Sequence, residues 1–297
     1  MVTLSPNKTA RPLKKGDEFV IAETSSFLND KNLIDKGIKV LTEWGLVFRE
    51  RKLSPKPWGY LAGNDKYRFE QVHPSPTASL IACVRGGWGA ARLLEQDQPW
   101  TNGWVLGYSD ICSLLLSRLS RNFDGCIHGP LISSIGEEPD WSKDRLRSIL
   151  FGETIPDLKG ESWQGGIAKG PIVAMNLTIG TSLIGTAHMP DLKGSILIFE
   201  DINEQAYRID RMLTQWRLTG LLNNIEGIGF GNFVECNSDK NDYFKIEEII
   251  KERCIDLKIP IIGSLAIGHA NGNAALPLGK IACLNGNKGT ISFNYET

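Results

Sequence analysis

Three side chains in this sequence have the types that acyl-transfer chemistry needs, and they follow one another as Ser109, Glu200 and His269. A serine hydroxyl is a poor nucleophile until a base accepts its proton, and an imidazole serves as that base when a carboxylate fixes its tautomer. Each residue stands just past an apolar run of strand type. Ser109 follows Trp104-Val105-Leu106 in the turn Gly107-Tyr108-Ser109-Asp110, and a helical spacing of apolar residues begins at Ile111. Strand, sharp turn and helix with a serine at the turn is the pattern of a nucleophile elbow, although Ile111 occupies the place of the second glycine in Gly-x-Ser-x-Gly. The same pattern suits an N-cap, in which Ser109 or Asp110 accepts from a free N–H of the helix. Glu200 and Asp201 close the run Ile196-Leu197-Ile198-Phe199, where ligands of open α/β sheets bind and where an acid also caps a following helix. His269 lies in the glycine-bounded stretch Gly268 to Gly272; His73, next to a proline, reads as surface loop, and His128 and His188 as residues of Gly- or Pro-bounded turns.

The elements that must position these residues alternate between strand and helix. Strands are expected over Phe19 to Glu23, Leu46 to Phe48, Ala78 to Val84, Trp104 to Leu106 and Gly125 to Pro130. Helices are expected over Leu33 to Trp44, Asn64 to Gln71, Ala90 to Leu94, from Ile111, and over Asp140 to Leu150. Such alternation implies a parallel sheet wound with helices. Residues 153–174, rich in Gly with Ser, Trp and Lys, read as a linker leading into a second domain. Beyond it come strands over Gly194 to Glu200, Gly227 to Phe230 and Pro260 to Leu265, helices over Tyr207 to Leu221 and Tyr243 to Cys254, and a closing hairpin around Asn285-Gly286. The fold class expected is α/β: an N-terminal parallel-sheet domain over 1–152 and a β-rich α/β domain over 175–297.

Arg85-Gly86-Gly87-Trp88-Gly89 follows one of these strands and precedes a helix, so its backbone can approach a ligand near a helix N-terminus, or simply turn tightly. It lacks the Gly-x-Gly-x-x-Gly spacing, which argues against a dinucleotide cofactor. A balance of 33 basic against 34 acidic residues gives no footprint for nucleic acid or a membrane surface. The six cysteines form no Cys-x-x-Cys pair and mostly sit in apolar runs, so neither a disulfide framework nor a zinc site is expected, nor any other metal. With no apolar signal core near Met1 and no run of membrane-spanning length, a cytoplasmic protein is expected.

Five colinear segments together resemble the LD-carboxypeptidase family, which comprises murein tetrapeptide carboxypeptidases and the related microcin C self-immunity peptidases. They are Ala82 to Leu94, Gly107-Tyr108-Ser109-Asp110, His128-Gly129-Pro130, Phe199-Glu200-Asp201 with Tyr207 to Leu213, and Ile267-Gly268-His269 with Leu276 to Gly279. The resemblance implies a cofactor-free serine peptidase that removes the terminal D-alanine of murein tetrapeptides in cell-wall recycling, acting as a homodimer. It assigns Ser109 as nucleophile, Glu200 as the acid that orients the base, and His269 as the base. Oxyanion donors would be the Asp110 N–H with one from Gly86 or Gly87, and Arg85 and Trp88 would face the substrate. Two departures concern the pocket: Trp88 stands where the family has tyrosine, and Ala174-Met175-Asn176-Leu177 replaces Gly-Gly-Asn-Leu. An immunity-type hydrolase of peptidyl or aminoacyl adenylate analogues, or a non-catalytic binding protein on this fold, are the competing readings; the second would have no reason to keep all three residues.

Overall fold

A computed structural model describes residues 10–236 and 245–293. In the first part, β1 (Glu18–Ala22) leads to α1 (Lys31–Glu43), β2 (Val47–Phe48), α2 (Asp65–Val72), β3 (Leu80–Cys83) and β4 (Trp104–Gly107). Then come α3 (Cys112–Ser120), β5 (Cys126–His128), α4 (Ile132–Ile135) and α5 (Asp140–Phe151). The sheet order is β5-β4-β3-β1-β2, all parallel. Every residue of β3 is buried, as befits a strand covered by helices on both faces. The expected helix over Ala90 to Leu94 is one 3-10 turn, Ala91–Glu95.

The stretch read as a linker contains strands instead. Within and just beyond 153–174 run β6 (Leu158–Lys159), β7 (Glu161–Gln164) and β8 (Ile167–Asn176). Glycines at 160, 165 and 166 punctuate them, and within β8 an added Cβ at Gly170 would lie 2.1 Å from the Gly194 carbonyl oxygen, so the strand packs there through backbone. After β8 come α6 (Leu177–Ser182), β9 (Ile196–Ile202), α7 (Ala206–Leu218) and β10 (Gly227–Val234). Next are α8 (Ile246–Cys254), β11 (Ile261–Gly263), β12 (Leu276–Leu278), β13 (Ile281–Asn285) and β14 (Thr290–Ser292). Of the helix expected over Tyr243 to Cys254, the residues before 245 lie outside the described residues. The second sheet runs β6-β14-β13-β8-β9-β10-β11-β7, with β8 to β11 parallel and the flanks antiparallel. β13 and β14 form the closing hairpin, with Asn285 opposite Thr290.

One strand crosses over. β12, late in the chain, pairs antiparallel with β5 and so extends the first sheet. The first sheet is therefore not purely parallel, and the second part of the chain helps to build it. All six cysteines are free thiols and five of them are buried. No helix among the described residues is long and apolar enough to cross a membrane.

Close packing places α1 on α4, the short helix that follows β5. Ile34, Gly37 and Leu41 form the buried stripe of α1. A Cβ added to Gly37 would lie 2.1 Å from the carbonyl oxygen of Ile132. Two effects of Gly37→Ala compete: helix propensity favours alanine by about 1 kcal/mol, while the clash with rigid backbone should cost more than that. Packing should win. The expected outcome is a net loss of about 2 kcal/mol in equilibrium urea unfolding; an equal or greater stability would show that the two helices are free to separate.

Candidate active site

The carboxyl ends of β3 and β4 from the first sheet meet those of β8 and β9 from the second. Between them lies a cleft of about 520 Å³, lined among others by Arg85, Gly86, Gly87, Trp88, Ser109 and His269. Ser109 enters it from a strained turn. Its φ is +62°, a left-handed conformation that a residue with a Cβ adopts at a cost of roughly 1 kcal/mol or more. Neither Ser109 nor Asp110 caps α3: the N-cap position is Ile111, with no side-chain hydrogen bond. The absent second glycine also has a cause. Ile111 is buried over Gly107, where an added Cβ would lie 2.8 Å from the isoleucine Cγ2.

The glycine-rich loop after β3 presses on this turn. A Cβ on Gly86 would be 2.9 Å from Ser109 Cβ and 3.0 Å from its Oγ, with the Asp110 nitrogen at 3.5 Å. Gly87 has φ +106°, and a Cβ there would meet Ser26 Oγ at 2.4 Å. Both glycines are thus required by close approach, and Gly86 and Asp110 bring main chain to the serine from two sides. The side chain of Asp110 turns away into the protein, where Oδ2 accepts from Ser25 Oγ at 2.6 Å and from the Ala90 N–H at 2.8 Å. Burial pushes its carboxyl above the usual range. Ser26 donates its N–H to the Gly86 carbonyl at 3.3 Å, and its Oγ accepts from the Trp88 N–H at 3.2 Å. Ser25 and Ser26, just past β1, hold the loop and the turn together. No signal in the sequence singles them out.

Across the cleft, His269 Nδ1 lies 2.7 Å from Glu200 Oε2. Glu200 is wholly buried in β9, and His269 is partly exposed to the cleft. The contact needs Gly268, whose φ is +108° and where a Cβ would lie 2.5 Å from Glu200 Oε2. The histidine loop is anchored behind: Asn273 Oδ1 accepts from the Gly268 N–H at 3.0 Å, and Glu138 Oε2 accepts from the Asn273 N–H at 2.9 Å. Arg145 of α5 donates to the Ala275 carbonyl at 2.8 Å. Glu138, Arg145 and Asn273 are further residues that the sequence did not single out. The Tyr108 ring stands 4.8 Å from that of His269. Ser109 and His269 share the cleft without a direct hydrogen bond between them among the described residues.

Asp201 points the other way from Glu200. It accepts from Asn176 Nδ2 at 2.8 Å, the Thr178 N–H at 2.9 Å and Thr178 Oγ1 at 2.8 Å, so it ties β9 to α6. It does not cap α7, whose N-cap is Gln205. Asn176, within the run that departs from the family pattern, lies on the cleft wall beside it. Arg85 is exposed at the rim, its guanidinium donating to the Phe27 carbonyl at 2.8 Å, and Trp88 is 67% exposed on the same rim. Of the other histidines, His128 is not in an exposed turn: it ends β5 and is fully buried. His73 is held by Gln98 and His188 by Ser117.

A serine in a strained turn and a histidine bonded to a buried glutamate line one cleft of a two-sheet α/β frame, the groups that a hydrolase-type site uses. Comparison with known proteins gives the same class. Residues 19–129 match the LD-carboxypeptidase N-terminal domain and residues 169–284 the LD-carboxypeptidase C-terminal domain. The chain belongs to the LD-carboxypeptidase family. It is 40% identical to a protein of Synechocystis sp. that bears a carboxypeptidase name, over 95% of this chain and 96% of that one. It is 29% identical to the murein tetrapeptide carboxypeptidase of Pseudomonas aeruginosa, over 96% and 97% of the two chains. The structure of the microcin C7 self-immunity protein MccF superposes with a TM-score of 0.83 at 22% identity, covering 97% of this chain and 98% of that one.

Two outcomes test this geometry. Gly86→Ala places a methyl group against the Ser109 hydroxyl and should leave the folded chain with a severalfold or greater loss of any serine-dependent turnover, read by initial rates. Retained turnover would place the reacting atom elsewhere. The second concerns Asp201, which burial raises to about 6 from 3.8. Between those pH values the folded chain holds a proton that the unfolded chain has released. Stability should therefore fall as pH rises through this window, by at most about 3 kcal/mol from this residue. Asp201→Asn should flatten that part of the unfolding free energy plotted against pH; an unchanged slope would assign it to another group.

Proposed function

We propose that this chain is a serine-type LD-carboxypeptidase that removes the terminal D-alanine from murein tetrapeptides, in the cytoplasm and as a homodimer. The observation that carries the reading is the 2.7 Å bond from His269 to the buried Glu200, facing the cleft in which Ser109 is held at φ +62°. The proposed domain division puts the nucleophile in a first part, 1–152, and the acid and base in a second that extends back from 175–297 to take in the strands of the 153–174 stretch. The second part, in this reading, begins with β6 at Leu158 and lends β12 back to the first sheet.

In this mechanism, His269 takes the Ser109 proton as Oγ attacks the carbonyl carbon before the terminal residue. Glu200 keeps Nδ1 protonated and stabilises the imidazolium. The tetrahedral oxyanion is received by the N–H groups of Asp110 and of Gly86 or Gly87, each worth about 3 kcal/mol in the transition state. His269 returns the proton to the leaving amine, and water then hydrolyses the acyl-enzyme through the same base. The free carboxylate of the terminal residue is held at the rim by Arg85, with charge-assisted hydrogen bonds. No step asks for a metal or an organic cofactor.

A second reading has one observation in its favour. Trp88 offers an exposed indole face on the cleft rim, where a nucleobase could stack, and MccF, which shares the fold, is a self-immunity protein. Cleavage of an aminoacyl adenylate analogue would use the same serine.

One assay separates the readings. Purified protein is given a murein tetrapeptide, its C-terminal amide, its L-alanine epimer and an aminoacyl sulfamoyl adenylate, with products followed by mass spectrometry. The tetrapeptide should lose D-alanine, and the amide and the epimer should react at least about a hundredfold more slowly, because the rim donors lose their charged partner or the methyl meets the wall. Ser109→Ala should abolish turnover while unfolding free energy stays within about 1 kcal/mol, since the hydroxyl caps nothing. Equal rates on all the peptides, or an active Ser109→Ala, would overturn the assignment.

A further inference from the structure

Behind the hydrogen-bonded pair stands a second histidine that the mechanism above does not use. His128 ends β5 and is paired in the sheet with Gly107 of β4 on one side and Leu276 of β12 on the other. Its side chain is fully buried, and neither ring nitrogen has a hydrogen-bond partner. Glu200 Oε1 is also buried and without a partner. These orphaned atoms face one another: His128 Nε2 lies 4.0 Å from Glu200 Oε1, while the other carboxylate oxygen holds His269 Nδ1 at 2.7 Å. The Glu200 carboxylate is thus flanked by an imidazole on each oxygen, one from β5 and one from the loop between β11 and β12.

The groups around the His128 ring are few. Glu200 lies across the gap, the His269 ring beyond it, and the Tyr108 ring at 5.8 Å; its own main-chain carbonyl is near but accepts no bond of normal geometry. Cys112 and Glu138 are the further titratable groups felt by Tyr108. Burial outweighs the nearby carboxylate and lowers His128 to about 4, so at pH 7 the ring is neutral and carries a single N–H. A lone pair on Nε2 would oppose a lone pair of the carboxylate in a dry interior. An N–H on Nε2 would satisfy both atoms.

We propose that His128 is a positioning residue that donates from Nε2 to Glu200 Oε1 and locks the carboxylate plane, so that Oε2 stays on His269 throughout turnover. The inference rests on the catalytic reading of Ser109, Glu200 and His269. The 4.0 Å separation is longer than a hydrogen bond, so the proposed donation requires the two side chains to approach by about 1 Å. Neutrality belongs to the role, because an imidazolium at this place would draw the carboxylate away from His269.

The test pairs His128→Leu, which removes the donor, with His128→Gln, whose amide N–H reaches to about the same point and never titrates. His128→Leu should lower kcat by roughly 10- to 100-fold with KM changed less than about twofold, since the base is misaligned and the substrate contacts are untouched. Its kcat pH profile should lose activity at a higher pH on the acid side, because an unshared carboxylate favours the charged base more strongly. His128→Gln should restore most of the rate and the profile. In wild-type protein carrying 15N-labelled histidine, His128 should show the Nε2–H tautomer from pH 6 to 8. Ser109→Ala, assayed in parallel, separates the failures: an active Ser109→Ala defeats the catalytic reading itself. An inactive Ser109→Ala beside a His128→Leu of wild-type kcat and pH profile defeats the positioning role alone. Should His128→Leu not fold, the tautomer decides, and an Nδ1–H ring in the wild-type protein overturns the proposal.

Discussion

A carboxylate that no solvent reaches governs the arrangement of this chain. Glu200 has no exposed surface, and an ion so placed costs several kcal/mol unless a partner meets it. The partner is His269, and bringing it there imposes a series of further requirements. Gly268 must take a left-handed conformation and bring its main chain within a side chain's width of Oε2. Asn273 must then hold the Gly268 N–H, and Glu138 must hold Asn273. The neighbouring Asp201 is buried as well, and two adjacent carboxylates in one space would repel. Alternation along β9 removes the conflict by sending Asp201 to the opposite face, where Asn176 and Thr178 receive it.

The serine turn answers to a different constraint, that of distance. Main chain comes close to the Ser109 hydroxyl, with no room for a side chain between them. Gly86 and Gly107 satisfy this by lacking a Cβ, one against Ser109 and the other beneath Ile111. Since Ile111 fills the space over Gly107, the second glycine of the usual elbow has no task to perform here. The two walls meet through the backbone as well as across the cleft, for the Asn176 N–H rests on Cys112 Sγ at 3.3 Å, one turn beyond the serine.

Much of this is legible in the sequence. The apolar runs that end at Leu106 and Phe199 are strands because a sheet covered on both sides needs unbroken hydrophobic stretches, and the residues at their ends open on the cleft. Ser109, Glu200 and His269 could be chosen because reactive types stood just past those runs. What escaped notice are interactions made over long sequence separations by residues of ordinary type. Ser25 reaches Asp110 across 85 residues, and Glu138 reaches Asn273 across 135. Nothing local to a serine or a glutamate announces such a partner. His128 was read as a turn residue because glycine and proline follow it, yet β12 pairs beside it and buries it. The strands between 158 and 176 are hard to read because two of them are only two and four residues long and glycines at 160, 165 and 166 separate them.

The returning strand β12 also fixes when the site can exist during synthesis. The loop that carries His269 is clamped at one end by β11 in the second sheet and at the other by β12 in the first. The β11 clamp can close once Gly263 is made, but the β12 clamp waits until the chain reaches Leu278, long after Ser109 and its sheet could have begun to fold. A nascent chain therefore carries Ser109 without a seated His269 for most of its passage from the ribosome. Chains that stop short of β12 lack the edge that seats the histidine loop. The complete cleft is in this way a property of the nearly finished chain, with a late, long-range pairing as the step that assembles it.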